Sequence, residues 1–255
     1  MTPHLRTWPG NAERPALALH CMMGSGLYWG PIAERLRDRA QITAPDMPGH
    51  GQSPEWPGEP PDLHTTVTRQ AAALIGRPMD LIGHSMGATV ALRIAVAAPE
   101  AVRSLTLIEP VLFAAAPDAQ NDALMADVAA KLDAGKDAEA AQAFLACWGG
   151  LDWGSQTAAG RARLARQVRM VRATDAALRH DAAAILRPGG LESIDAPVLI
   201  AMGEDSPAVI PAIAEALAAR LPDVGRALVP GAGHMLPITH PRQVAELIGL
   251  NLDRA

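Results

Sequence analysis

Met79-Asp80-Leu81-Ile82 runs straight into Gly83-His84-Ser85-Met86-Gly87, and a helical stretch, Ala88 to Ala98, follows. An apolar run, a G-x-S-x-G pentapeptide and a helix in that order describe a strand that turns sharply into a helix. A serine at the tip of such a turn sits in strained backbone with its hydroxyl lifted clear of the sheet. The flanking glycines, Gly83 and Gly87, are required because neighbouring backbone passes where a Cβ would stand. Ser85 is therefore the candidate nucleophile.

Short apolar runs ending in turn residues recur on both sides of this motif. Pro15–His20, Gln41–Ala44 and Val102–Ile108 accompany Met79–Ile82, and Pro197–Met202 and Arg226–Val229 follow a long interruption. Near-continuous apolar runs alternating with helices predict a parallel sheet covered on both faces. Helices are expected over Trp29–Arg39, where Ile32 and Leu36 share a face, and over Pro207–Leu221 and Pro241–Leu250, which open on proline. The interruption, residues 113–190, is rich in Ala, Leu, Arg and Asp and reads as several helices without a strand. The expected fold class is α/β, a mostly parallel sheet of about six to eight strands with helices on both faces. Residues 1–112 and 191–255 form its core, and 113–190 is the helical insertion.

Charge is segregated within that insertion. Asp118, Asp122, Asp127, Asp133, Asp137, Glu139 and Asp152 crowd its first half, and Arg161, Arg163, Arg166, Arg169, Arg172, Arg179 and Arg187 its second. The economical reading is that acidic and basic helices lie against each other and solvent. The sharper alternative is that some of these arginines face a pocket and hold a carboxylate or an acidic carrier protein.

Bulk properties exclude several classes. A chain of 255 residues, 49% hydrophobic and 19% charged, is long enough for one large core and is not disordered in composition. A net charge of −5 offers no general attraction for nucleic acid or an anionic membrane. Cys21 and Cys147 are expected as packed thiols rather than a disulfide, which fits a reducing compartment. With no signal-like opening and no run of 18 apolar residues, a cytoplasmic location is expected. No His, Cys or carboxylate cluster has metal-ligand spacing, and no G-x-G-x-x-G follows a strand, so neither a metal nor a nucleotide cofactor is expected.

A serine hydroxyl is a weak nucleophile until a base takes its proton. Of eight histidines, His4 lies near an end expected to fray, His64 enters a helix and His180 belongs to the insertion. His84 adjoins Ser85, but adjacency in such a turn directs its ring away from the hydroxyl. His50, in Asp46-Met47-Pro48-Gly49-His50-Gly51-Gln52-Ser53, is expected to be packed and hydrogen-bonded, and His240 to cap the last helix. His234 follows the last strand on the Gly-rich loop Val229-Pro230-Gly231-Ala232-Gly233-His234-Met235, at the sheet edge where ligands bind, and is the candidate base. An oxyanion hole needs two convergent amides. Met86, after the serine, supplies one, and Met22, in His20-Cys21-Met22-Met23-Gly24-Ser25-Gly26, is the candidate for the other, with His20 tying that loop together.

The His20–Gly26 loop, the Asp46–Ser53 loop, Gly83–Gly87 and Gly231–Met235, in that order, resemble the α/β-hydrolase superfamily. The resemblance spans residues 16–112 and 192–254 and implies a helical cap at 113–190. This chain departs from the pattern in reading His20-Cys21 where His-Gly is usual, and its N-terminus is short, so the first antiparallel strands are expected to be reduced or missing. The resemblance also implies a triad acid, at one of two places. Asp205, in Gly203-Glu204-Asp205-Ser206-Pro207, lies one residue before the usual position, which Ser206 occupies. Glu109, ending Leu105-Thr106-Leu107-Ile108-Glu109, is the preferred acid, and Asp205 the alternative. Its task is to hold the His234 tautomer and stabilise the imidazolium.

These residues point to a cofactor-independent serine hydrolase cleaving a carboxylic ester, thioester or lactone through an acyl-enzyme on Ser85. A serine rather than an aspartate at the turn argues against chemistry that needs a carboxylate nucleophile. Trp148, Trp153, Met125 and Met170 are the candidates to line an apolar substrate pocket. The alternatives are a small-molecule-binding member of the same fold, an acyltransferase, and a carbon–carbon bond hydrolase using the same triad.

Overall fold

The computed structural model describes residues 2–149 and 152–255. Seven strands, β1 (Leu5–Thr7), β2 (Pro15–Leu19), β3 (Gln41–Pro45), β4 (Met79–His84), β5 (Val102–Ile108), β6 (Val198–Gly203) and β7 (Val224–Val229), form one sheet in the order β1-β3-β2-β4-β5-β6-β7. Every pairing is parallel except that of β1 on β3, where Leu5 lies opposite Pro45. One antiparallel strand, β1, is thus present ahead of the parallel ones. It carries no apolar run because it is a three-residue edge strand, mostly exposed. His4 beside it is not frayed. Its ring Nδ1 lies 3.0 Å from Asp46 Oδ2, and its amide donates to Ser53 Oγ.

The helices are α1 (Gly30–Leu36), α2 (Leu63–Ala72), α3 (Met86–Ala97), α4 (Ala119–Asp133), α5 (Asp137–Trp148), α6 (Ala158–Ala173), α7 (Asp175–Arg179), α8 (Val209–Ala218), α9 (Leu236–Thr239) and α10 (Pro241–Leu252). Strand side chains alternate between faces, so adjacent apolar residues feed opposite cores. Leu17, Leu19, Leu81, Leu107 and Ile200 pack with α2, α3 and α8 on one face. Ala16, Ala18, Ile82, Ile108 and Ala201 pack with α1 and α10 on the other. That double burial is why the central strands read as continuous apolar runs rather than alternating ones.

The strand order positions the site. From β2 the chain moves outward to β3, and then returns past β2 to lay down β4 on its other side. The loops leaving β2 and β4 therefore diverge, opening a crevice at the carboxyl ends of the strands. Helices α4 to α7 lie between β5 and β6 in sequence, and α4, α5 and α6 share a cluster of their own, built on Val128, Leu132, Leu145, Leu164 and Val168. Their surface charges pair as the segregation predicts. Arg169 bonds Asp137 at 2.7 Å, Arg172 pairs with Asp133, and Arg179 bonds Asp122 at 2.9 Å. One expectation fails here: Cys147 is exposed on α5, and only Cys21 is buried, with its thiol pushed up to about 12 by burial.

Candidate active site

At the β4–α3 turn Ser85 adopts φ 56° and ψ −119°, backbone that side-chain-bearing residues rarely hold. The turn is tight on both sides. A Cβ on Gly83 would stand 2.4 Å from the Gly87 carbonyl oxygen, and one on Gly87 would stand 2.4 Å from that of Leu19. Glycine is thus demanded by the crossing backbone, and the Ser85 amide is anchored to the Ile108 carbonyl at 2.8 Å.

Three side chains from three loops converge on this turn. Ser85 Oγ lies 3.0 Å from His234 Nε2, and His234 Nδ1 lies 2.9 Å from Glu109 Oε2. All three are buried, Glu109 completely. Glu109 follows β5 with φ 53°, again left-handed, which turns its carboxylate back across the sheet edge. Its second oxygen accepts from the Gly203 amide at 2.7 Å and from Ser206 Oγ at 2.9 Å, so the carboxylate is held from both sides. Asp205 is not brought to the histidine. It is exposed, its amide bonds the Ala232 carbonyl, and the neighbouring serine reaches Glu109 instead. With its Nδ1–H donated to the Glu109 carboxylate, His234 presents the Nε2 lone pair to the hydroxyl, within proton-transfer distance.

Buried neutral histidines shape the β2 loop. His20 Nδ1 donates to the Cys21 carbonyl at 2.7 Å, and Nε2 accepts from the Met47 amide at 2.9 Å. The Gly24 amide also donates to that carbonyl. Because a trans peptide sets N–H opposite C=O, holding the Cys21 carbonyl orients the Met22 amide. His50 Nε2 accepts from the Met23 amide, and its Nδ1 donates to the Pro48 carbonyl. Burial lowers the pKa of His20 to about 4 and of His50 to about 3, which keeps both rings neutral. Among the described residues neither the Met22 nor the Met86 amide donates to a protein acceptor. The Met86 amide opens α3, where the first N–H groups lack partners within the helix.

His240 is the residue preceding α10, but its side chain makes no capping bond and pairs with Thr239 Oγ1. His84 turns away from Ser85, as adjacency requires, and bonds the His234 carbonyl at 2.8 Å.

Two spaces have Ser85 in their walls. The larger, about 370 Å³, is bounded by Met22, Leu27, Phe144, Trp148, Arg163 and His234 among others. The smaller, about 40 Å³, is walled by Met86, Val111, Phe113, Met125, Val171 and Leu178 among others. Of the four pocket candidates, Trp148 and Met125 are at the site. Trp148 lines both spaces and sets its ring 4.8 Å from that of His234, nearly edge-on at 68°. Met170 is not there; it packs where a Gly49 Cβ would stand, in a separate cleft beside Trp56. Trp153 packs against the α4–α6 cluster and lines neither space. Helical spacing identifies an apolar face without saying which neighbour it meets, which explains Met170 on α6, whereas Trp153 stands in the turn between α5 and α6. Sequence reasoning also missed Phe113, Phe144 and Tyr28, none of which stands in a motif, and the bond that Ser206, at the usual place of the acid, gives to Glu109. Arg163 was one of seven arginines in the run, and it is the one that lines the Ser85 cavity.

Among the described residues no group of His, Cys, Asp and Glu is arranged to hold a metal ion, and no helix is long and apolar enough to cross a membrane. A family model described as "Alpha/beta hydrolase family" matches residues 16–247. A pimeloyl-[acyl-carrier protein] methyl ester esterase of Methylococcus capsulatus is 41% identical over 86 residues, 32% of each chain. A 2-(acetamidomethylene)succinate hydrolase of Mesorhizobium japonicum is 29% identical over 93% of this chain and 87% of its own. With several curated relatives the shared stretch spans 42% of the relative's length or less. The solved enol-lactonase of Burkholderia xenovorans superposes with a TM-score of 0.75 at 20% identity, over 98% of this chain and 96% of that one. With the family model covering the parallel strands of the sheet but for Pro15, the turn at Ser85 and the loop of His234, this chain belongs to the alpha/beta hydrolase family.

Proposed function

We propose that this protein is a cofactor-independent serine hydrolase that cleaves a carboxylic ester or a related thioester or lactone. The observation that carries the reading is the buried relay from Ser85 Oγ through His234 to Glu109, with separations of 3.0 and 2.9 Å, opening into a cavity of about 370 Å³. In this mechanism Ser85 Oγ attacks the carbonyl carbon while its proton passes to His234 Nε2. The π pair of the carbonyl moves onto oxygen, where the Met22 and Met86 amides receive it. Collapse expels the alcohol or thiol, which takes the proton from Nε2 and leaves an acyl-enzyme. Water then attacks, gives its proton to Nε2, and the acid departs as the proton returns to Ser85. Glu109 keeps the Nδ1 proton in place and stabilises the imidazolium throughout.

Helices between residues 113 and 190 act as a cap, contributing Phe144, Trp148 and Arg163 to the cavity wall. The unequal spaces favour a substrate with a short apolar group on one side of the scissile bond and a larger group on the other. Arg163 has no ion-pair partner among the described residues, whereas Arg169, Arg172 and Arg179 do. It suits an anionic group at the far end of the larger portion, whether a free carboxylate or one on an acidic carrier. The relative named for a succinate-derived substrate supports the free carboxylate.

Covalent labelling with a fluorophosphonate, mapped by mass spectrometry, tests the reading. The expected result is a single adduct on Ser85 that is absent in Ser85→Ala. No adduct, under conditions that label a control esterase, overturns it in favour of a ligand-binding member of the fold.

A further inference from the structure

Resting on that reading, we infer that Tyr28 and His84 are positioning residues, forming a hydrogen-bonded strut that holds the oxyanion loop and the base loop at a set separation. Neither group is used by the mechanism above, yet both are committed to a continuous chain beneath Ser85. The Cys21 amide donates to Tyr28 Oη at 2.9 Å, Tyr28 Oη lies 2.9 Å from His84 Nδ1, and His84 Nε2 lies 2.8 Å from the backbone oxygen of His234. The ends of the chain dictate its polarity. A carbonyl only accepts, so His84 Nε2 carries the proton. Burial holds His84 well below its ordinary pKa, so the ring is neutral and Nδ1 offers a lone pair to the phenol hydroxyl. Burial likewise raises the Tyr28 pKa well above its ordinary value and keeps the phenol protonated. The phenol oxygen then accepts from Cys21, the residue before Met22. Every proton in the chain has one place to go.

The strut spans a distance that sheet hydrogen bonding does not. The β2 loop and the β7 loop rise from strands separated by β4, β5 and β6. Tyr28 comes from the turn Gly26–Trp29 and His84 from the last position of β4, so each end loop is tied to a different rigid element. Donor and base must close on the same reacting carbon, and a misplacement on the order of 1 Å costs about 100-fold in rate. This accounts for a buried histidine at the second position of the pentapeptide, where its ring cannot reach the nucleophile, and for the only tyrosine of the chain.

The test uses Tyr28→Phe, His84→Gln and the double variant, because glutamine can keep a donor toward the His234 carbonyl while losing the acceptor for Tyr28. Each is measured for kcat and KM on an activated acetate ester, for the rate of Ser85 phosphonylation, and for melting temperature. The expected result is a fall of about 10- to 100-fold in kcat for either single variant, with KM within about twofold. Phosphonylation should slow in parallel. The double variant should be no more than about twofold below the poorer single, since a broken chain cannot be broken again. Single effects that multiply in the double variant, or a kcat within about threefold of the unsubstituted enzyme, overturn the strut. If Tyr28→Phe does not fold, the kcat and KM of His84→Gln decide alone. An unsubstituted protein that never labels at Ser85 overturns the hydrolase reading as well, whereas normal labelling with unchanged variants overturns only the strut.

Discussion

The carboxyl edge of the sheet and the helices that cover it are built on different principles. At the edge, backbone meets backbone. Gly83 and Gly87 are pressed against carbonyls, Ser85 and Glu109 sit in left-handed backbone, and each loop is tied by buried hydrogen bonds. In the helices α4 to α6, a small cluster of aliphatic side chains is rimmed by exposed ion pairs. The edge leaves almost no latitude, so it can hold reacting atoms to fractions of an ångström. The helices hold only a shape, and side chains that set a shape can be exchanged at modest cost.

Four substitutions and one change of condition sharpen that contrast, taken from the largest effect down. Glu109→Gln should lower kcat by about 10³- to 10⁴-fold with little loss of fold, because the amide cannot hold the His234 tautomer. Asp205→Asn should stay within about twofold, and the reverse ranking in steady-state kinetics would move the acid to Asp205. Acid should loosen the edge first. His20, His50 and His64 have folded pKa values lowered by burial to about 4, about 3 and about 4 from an ordinary 6.5. Between those limits the unfolded chain binds protons that the native state refuses. Stability is therefore fully present above pH 6.5 and falls as pH drops toward 4, by up to about 1.4 kcal/mol per pH unit for each histidine. Denaturant titrations at successive pH values would show this, and a flat profile across that window would contradict it.

Effects in the helices should be smaller and selective. Arg163→Ala should raise KM for esters with a distal carboxylate by about 10-fold and leave neutral esters unchanged. An equal rise for both would remove the anion subsite from the proposal. Arg172→Ala, which breaks an exposed pair with Asp133, should change stability by no more than about 1 kcal/mol and leave turnover alone. A thermal unfolding curve suffices to check it.

The same contrast explains what could be read in advance. Gly83 and Gly87 are visible because close backbone approach leaves no room for a Cβ, and Gly231 because its φ of 65° favours glycine, and each restriction is local. Strands β2, β4, β5 and β6 are visible because burial on both faces demands unbroken apolar runs. Strand β1 has neither signal, and an exposed three-residue edge leaves almost no compositional trace. The helices show their apolar periodicity and their complementary charges, but periodicity gives a face and not its neighbour. That is why Met125 and Trp148 line a space with Ser85 while Met170, on a helix with the same kind of apolar face, does not.

Sequence alone therefore determined the α/β class, the strained serine turn and the short set of groups able to serve it, because each depends on constraints acting within a few residues. Tertiary structure alone decided which carboxylate stands 2.9 Å from His234, which arginine faces the cavity, and that Tyr28 and His84 join two loops. Those outcomes depend on where β2, β5, β6 and β7 end relative to one another, a distance set by the whole sheet and encoded at no single position in the chain.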